Sequence, residues 1–400
     1  MNFIVVLTAY IALVFIISFF VKENYGRVWM FIVSLLLGII SYNARPVPGI
    51  FFDTERFDTY LDMLRQLNFQ FGDRNGLHLL LTQTPIINGI GNFGNYDLAM
   101  YAKQPFIEIV AWLFSLLPND GNLRLVVITV FCVVIFQVIR QGIYIIMPNH
   151  RKTYSWRMTF QVFCIFLGLF NIFYEIQGLR NFLAFALIAL VVGGHYLRGT
   201  FNAKSVVLMI VAMLIHPAAI LLVAIYLFFI ILPKRTYPVL VFLSLSYQAF
   251  ISPLSNLLEF LSKYIPALSG MSAYLSGSQN YFAGAAKIEI GLTTLLLIFV
   301  TGWLYSVTKK YSNVLPREYV RITWLFVTFT FGSFLNAQLY LRMIQFDTIM
   351  MLPLLLFVLI YSKIVFSSRQ SLISTVWIHS GSFVMFVVWS MLTYRYVLVF

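Results

Sequence analysis

Apolar stretches about as long as a membrane-spanning helix recur along the sequence, with short polar turns between them. A helix needs about 20 apolar residues to cross the hydrocarbon core of a bilayer. The clear candidates are 2–21, 28–44, 123–147, 158–174, 180–197, 236–250, 288–307, 322–340, 343–361 and 371–392. A further stretch, 205–232, is interrupted at His216-Pro217. The pattern predicts an all-α, polytopic helical membrane protein with about 11–12 transmembrane segments in a single integral membrane domain, 1–400.

The composition excludes most soluble classes of protein. Hydrophobic residues make up 60% of the chain and charged residues 10%, whereas soluble domains have about 45–50% apolar and about 25% charged residues. So few charges cannot cover a soluble surface, which excludes a cytosolic enzyme and a disordered chain. The only cysteines, Cys132 and Cys164, lie in apolar runs, so neither a disulfide framework nor a zinc site is indicated.

The positions of lysine and arginine indicate how 205–232 folds, because these residues collect in cytoplasmic loops. If 205–232 is a hairpin, every basic loop falls on one side, together with only two acids, Glu23 and Glu318. The basic residues on that side are Lys22, Arg27, Arg151, Lys152, Arg157, Arg198, Lys204, Lys234, Arg235, Lys309, Lys310, Arg317, Arg321, Lys363 and Arg369. We therefore predict a hairpin, a basic cytoplasmic side and an outside N-terminus. The net charge of +13 is then a topology signal, and no nucleic-acid partner is expected.

Two long stretches remain on the predicted outer face, a first outer loop at 45–104 and a second at 251–287. Within the first loop, 55–68 has a helical rhythm of polar and apolar residues. The following segment, 105–118, is too short to span a membrane, and we expect an interfacial or re-entrant helix that starts at Pro105. Most of the acidic residues lie on this face, so we expect any chemistry there.

Three residues near predicted helix ends are functional candidates, because ionisable residues at helix ends inside a bundle often have a function. Arg180 lies in a short polar turn after Glu175, Arg342 lies in a second outer turn before Asp347, and His216 lies at the break in 205–232. Arginines on the outer face are contrary to the usual enrichment of basic residues in cytoplasmic loops. A guanidinium group can bind a phosphate through two parallel hydrogen bonds, which makes these arginines candidates for anion binding. The alternatives are that the arginines reach the headgroups or pair with the nearby acids, and that the histidine is a packing residue.

A metal site is a weaker hypothesis. Asp53-Thr54-Glu55 has the spacing of two carboxylates that can hold a hard divalent cation. Such a short motif is common by chance. No metal or other cofactor is therefore expected. The sequence also contains no phosphate-binding glycine loop, HExxH or CxxC motif.

Four short motifs occur in a fixed order along the chain. The first is Arg45 followed by Asp53-Thr54-x-x-Phe57, and the second is Gln104-Pro105-Phe106 before an apolar helix. The third is Gly178-Leu179-Arg180-Asn181 followed by Ile215-His216-Pro217-Ala218-Ala219, and the fourth is Leu341-Arg342 with Phe346 and Pro353. Together these motifs resemble the EpsG/Wzy-like polysaccharide polymerases, the family of exopolysaccharide and O-antigen polymerases. The chain has Phe57 where the family has tyrosine, and Gln104 where it has glutamate.

The resemblance implies a fold similar to the GT-C class of glycosyltransferases and a bacterial inner-membrane location. It implies a reaction that joins polyprenyl-pyrophosphate-linked oligosaccharide repeats on the outer, periplasmic face, beside a flippase and a chain-length regulator. Under it, Arg180, Arg342 and Arg45 would bind the pyrophosphate. Asp53 is the first candidate for the base and His216 the second. The supporting acids would be Glu55, Glu108 and Glu175.

Two other classes of function stay open at this point. A flippase for the same lipid-linked oligosaccharides would also need cations, but spread through a central cavity. A membrane glycosyl- or acyltransferase that adds a single group would have a similar fold, and only the length of its product would distinguish it from a polymerase.

Overall fold

The protein is described from a computed structural model. The structure describes residues 3–44, 53–71, 105–146, 155–170, 179–247, 249, 256–257, 259–261, 285–365 and 380–390. Within these ranges the regular structure is helical and contains no strand.

Fourteen α-helices are numbered here in chain order among the described residues. They are α1 Phe3–Phe20, α2 Gly26–Asn43, α3 Asp53–Phe71, α4 Pro105–Ser115, α5 Gly121–Gln141, α6 Ser155–Leu169, α7 Leu179–Arg198, α8 Ala203–Ile215, α9 Ala218–Ile231, α10 Tyr237–Leu245, α11 Ala285–Lys310, α12 Arg317–Gly332, α13 Ala337–Val365 and α14 Ser380–Ser390. Short 3-10 turns at Glu23–Tyr25, Gly142–Ile145 and Lys234–Thr236 adjoin α2, α5 and α10.

Five stretches of helix are long and apolar enough to cross a membrane. They are Glu23–Asn43, Gly121–Ile145, Arg180–Arg198, Ile290–Lys310 and Leu339–Tyr361, and shorter apolar helices accompany them. The prediction of an all-α polytopic membrane protein is thereby confirmed. The number of 11–12 segments, the GT-C-like architecture and the outside N-terminus stay predictions.

Helix α13 forms the centre of the bundle. It packs against α5, α6, α7, α11 and α12, and almost all of its apolar stretch Leu339–Tyr361 is buried. A helix that is apolar on every side is expected in such a central position. Because α7 also contacts α5, α8 and α9, the two helices α7 and α13 bring the ends of most other helices together.

The chain reverses direction at His216-Pro217, as the charge distribution predicted. His216 packs edge-on against Phe185 near the beginning of α7, with ring centroids 6.5 Å apart. On either side of this break, Phe201 and Tyr226 both contact His195 near the end of α7. Helices α8 and α9 therefore form a hairpin alongside α7, and its tip lies toward the first half of that helix.

The two ends of the bundle differ in charge. At one end, which we call the basic end, Arg140 lies over the Trp156 ring, Arg198 lies over Tyr144, and Lys234 pairs with Glu318. The other end, which we call the mixed end, carries both acidic and basic side chains. The described residues of the mixed end include Asp58, Asp62, Arg65, Asp120, Arg124, Arg180, Arg342 and Asp347. These are the ends that the sequence assigned to the cytoplasm and to the outer face.

Close packing of α5 against α13 depends on Gly142. A Cβ added there would overlap the backbone carbonyl oxygen of Pro353, so Gly142→Ala must push the two helices apart. We expect the variant to lose about 1–3 kcal/mol of stability, measured by thermal unfolding of the purified protein in detergent. Gly302→Ala on α11 is the matched control, because no described atom lies within 4 Å of its added Cβ. Equal effects of the two substitutions would contradict this account of the packing.

Candidate functional site

The predicted functional residues Arg180, Arg342 and His216 come together at the mixed end of the bundle. Arg180 is the second residue of α7 and is only 6% exposed, and His216 is 5% exposed. Both Arg180 and Arg342 lie within electrostatic range of His216. Phe185 connects the group, because its ring packs against His216 and against Phe346, one turn after Arg342 in α13. We call Arg180, His216 and Arg342 the arginine–histidine cluster.

The backbone of the hairpin fixes the orientation of His216. Helix α8 ends at Ile215, and Pro217 caps the start of α9, where its fixed φ suits the beginning of a helix. The Nδ1 atom of His216 accepts a hydrogen bond from the backbone N–H of Ala218 at 3.1 Å. A neutral imidazole whose Nδ1 accepts carries its proton on Nε2. His216 therefore presents a hydrogen-bond donor, which favours anion binding over the predicted role as a base.

Helix α3 brings an aromatic ring onto Arg180. The guanidinium carbon of Arg180 lies 5.1 Å from the centroid of the buried Phe57 ring. The helical rhythm at 55–68 predicted a helix here, and α3 spans Asp53–Phe71. A desolvated arginine over an aromatic face gains cation–π attraction and loses freedom of movement. Phe57 thus helps to hold the Arg180 side chain in one place.

Two ion pairs attach α3 to the bundle. Arg124 of α5 donates from one terminal nitrogen to both carboxylate oxygens of Asp58, at 2.7 and 2.8 Å, and from Nε to the Ser41 carbonyl at 3.3 Å. Arg65 lies 2.6 Å from the Asp120 carboxylate. Because Asp58 directly follows Phe57, the Arg124 pair also fixes the ring that covers Arg180.

Sequence reasoning missed these attachments. Arg124 stands at the beginning of the apolar segment 123–147, and a charge at the outer end of a span was a usable signal. Its partner Asp58 lies 66 residues earlier. No local pattern connects two residues that far apart in the sequence.

The pKa of Asp58 predicts a pH dependence. Burial raises the pKa of this carboxyl to about 6, although Arg124 acts in the opposite direction. Between pH 4 and 6 the folded protein keeps a proton that the unfolded chain has released. The Asp58 contribution to the free energy of unfolding therefore falls as the pH rises, by about 1.4 kcal/mol per pH unit across that interval, and is constant above it.

The measurement compares thermal unfolding of the wild type and Asp58→Asn from pH 4 to pH 8. We expect the stability of Asp58→Asn relative to wild type to rise between pH 4 and 6 and then to level off. A flat difference for Asp58→Asn would contradict the assignment.

Arg342 and Asp347 differ from the sequence-based expectation. The turn before α13 comprises residues 333–336, so Arg342 lies within the second turn of the helix and not in the connecting turn. Asp347 is buried and accepts a hydrogen bond from the Thr330 hydroxyl at 2.7 Å. Among the described ion pairs none joins Asp347 to Arg342. The alternative in which Asp347 neutralises this arginine is therefore wrong.

The other candidate residues are only partly described. Asp53 is the first residue of α3, one helical turn before Phe57, and Glu55 lies in the same turn. Glu108 lies in α4, which begins at Pro105 as predicted. The side chains of these three acids, as well as Arg45 and Glu175 entirely, lie outside the described part of the structure.

A resident metal is not indicated by the described side chains. No group of three histidine, cysteine or acidic residues close enough to hold a metal ion occurs among them. The Asp53/Glu55 pair lies outside those side chains, so the metal hypothesis stays a prediction. What the arrangement offers chemically is positive charge and a hydrogen-bond donor at a buried helix end, which can stabilise an anion.

Comparisons of this chain with protein-family models, with curated proteins and with solved structures give no match.

Proposed function

We propose that the chain is a polysaccharide polymerase that joins polyprenyl-pyrophosphate-linked oligosaccharide repeats at the outer face of a bacterial cell membrane. The observation that carries this proposal is the convergence of Arg180, Arg342 and His216 at one end of the bundle. Each comes from a different helix or turn, and each belongs to one of the motifs that resemble the polymerase family.

The leaving group explains why two arginines are needed. In the proposed reaction a hydroxyl oxygen of the acceptor repeat attacks the anomeric carbon of the growing chain. The bond from that carbon to the pyrophosphate oxygen breaks, and the lipid pyrophosphate leaves with the electron pair. The positive charges of Arg180 and Arg342 stabilise the negative charge that develops on the leaving pyrophosphate, and the Nε2–H of His216 donates a further hydrogen bond to it.

A base must take the proton of the attacking hydroxyl. The conformation of His216 fits a donor better than a base, because Nδ1 is already occupied by the backbone of Ala218. Asp53 is therefore the preferred candidate. It begins α3 one turn before Phe57, and the Phe57 ring lies over Arg180.

The test is the profile of lipid-linked glycans in a strain that lacks this protein. A polymerase predicts that single lipid-linked repeats accumulate on the outer face and that polymer is absent. Repeats held on the cytoplasmic face would instead identify a flippase. Intact polymer without one branch sugar or acyl group would identify a single-addition transferase, and either result would overturn the proposal.

A further inference from the structure

A cavity lies at the basic end of the bundle, away from the arginine–histidine cluster. It has a volume of about 280 Å³. It is lined by His195 and the aromatic residues Tyr196, Phe229 and Tyr237, and by the charged residues Lys234, Glu318 and Arg321. We call it the basic-end cavity. His195 belongs to the last turn of α7 and Arg180 to the first, so the length of that helix separates the two sites.

The charged groups of the cavity leave an excess of positive charge. Lys234 and Arg321 both bind the carboxylate of Glu318, at 2.7 and 3.2 Å. Two cations thus share one anion. Lys234 is 76% exposed along its side chain, and Arg321 is partly exposed. Both therefore retain donors that can reach an incoming anion at the cavity mouth.

The walls of the cavity are aromatic and mutually packed. The His195 ring stacks on Tyr196 with centroids 4.3 Å apart, and Tyr196 packs edge-on against Phe229. Phe229 in turn packs edge-on against Tyr237, whose hydroxyl donates to the Arg321 carbonyl at 3.1 Å. These contacts connect α7, α9, α10 and α12, so the cavity is already shaped before a ligand arrives.

Exposed apolar side chains flank the cavity. On α9, next to the lining residues, Phe228 and Ile231 are exposed, and on α10 Val239 and Phe242 are exposed. In a membrane protein such faces contact lipid chains. The cavity mouth therefore combines cations with an adjacent hydrocarbon-facing surface, which is the chemistry that an amphiphilic anion requires.

We propose that the basic-end cavity binds the phosphate group of an anionic lipid, whose hydrocarbon chains lie along the exposed faces of α9 and α10. Lys234 and Arg321 bind the phosphate oxygens, and Glu318 holds the two cations in place between binding events. The aromatic walls contact the first carbons of the lipid. This site is separate from the outer-face chemistry proposed above and does not depend on it.

The test measures binding of phosphatidylglycerol to the purified full-length protein in detergent, by native mass spectrometry. Phosphatidylcholine is the neutral-headgroup comparison. Lys234→Gln combined with Arg321→Gln should weaken phosphatidylglycerol binding by about tenfold or more, because each cation near an anionic lipid contributes to its binding. Arg235→Gln, an exposed neighbour of Lys234 that does not line the cavity, is the matched control and should bind as the wild type does.

Two outcomes would overturn the proposal, and one further variant keeps the test valid. Equal binding of phosphatidylglycerol by the double variant and by Arg235→Gln would overturn it. Binding of inorganic phosphate alone at this site, with no binding of phosphatidylglycerol, would assign the cavity to a soluble phosphate and overturn the lipid assignment. Lys234→Gln alone keeps the test valid if the double variant fails to fold, because the exposed Lys234 side chain has little packing to lose, and it should still weaken binding severalfold.

Discussion

Arg180→Ala and Arg342→Ala are each expected to abolish polymer while single lipid-linked repeats accumulate. The physical reason is that departure of the pyrophosphate requires nearby positive charge to stabilise the negative charge that develops on it. Removal of one stabilising group from an active site costs about 10²–10³ in rate. Arg180 is almost fully buried and lies over Phe57, and bulk water stabilises a buried anion poorly once this charge is removed. The measurement is polymer length on a gel together with mass spectrometry of the lipid-linked repeats.

The controls separate charge from general damage. Arg157→Ala, at an exposed position of the basic end, removes one arginine without touching the cluster and should leave polymer normal. Arg180→Lys keeps the charge but loses the forked geometry, so we expect partial activity. All variants must insert in the membrane at wild-type levels. Normal-length polymer from both alanine variants would disprove the proposed role of the arginines.

Much of the fold was predictable because membrane thickness sets the length of a spanning helix and proline sets where a helix starts, and both features can be read from a short stretch of sequence. The length of the apolar segments predicted the long helices, Pro105 marked the start of α4, and Pro217 marked the reversal between α8 and α9. The turn before α13 was misplaced because the predicted apolar span 322–340 ran through the polar residues Ser333 and Asn336. Asn336 marks it instead, since its side chain accepts from the backbone N–H of Leu339 at 3.1 Å, as a helix cap does.

The candidate site was predictable only in part. Arg180 and Arg342 were predicted as functional residues because arginines are uncommon on the outer face of a membrane protein. A single residue is enough to show this feature in the sequence. The support of the site is a set of pairs between distant helices, such as Asp58 with Arg124 and Phe57 with Arg180. Such pairs depend on how α3 packs against the bundle. The alternation of polar and apolar residues in α3 predicts a helix but does not specify its packing partners.

Phe57→Ala should reduce polymer formation about hundredfold although it removes no charge. The buried Phe57 ring covers the Arg180 guanidinium from α3, and its loss leaves a cavity into which the arginine can move. A displacement of about 1 Å at a catalytic group costs about 10² in rate. The measurement is the rate of polymer formation in membranes that contain equal amounts of each variant.

Two further variants test whether position, and not stability alone, explains the loss. Phe69→Ala removes a ring from the same helix at a position that is 92% exposed, so it should leave activity unchanged. Phe57→Tyr keeps the aromatic face and introduces the residue that the resembling family has at this point, so it should retain most of the activity. If Phe57→Ala is as active as Phe69→Ala, α3 does not position Arg180. Only Phe57→Ala lacks the aromatic face that contacts Arg180. If Phe57→Tyr is nevertheless as inactive as Phe57→Ala, loss of the ring contact does not explain the loss of activity.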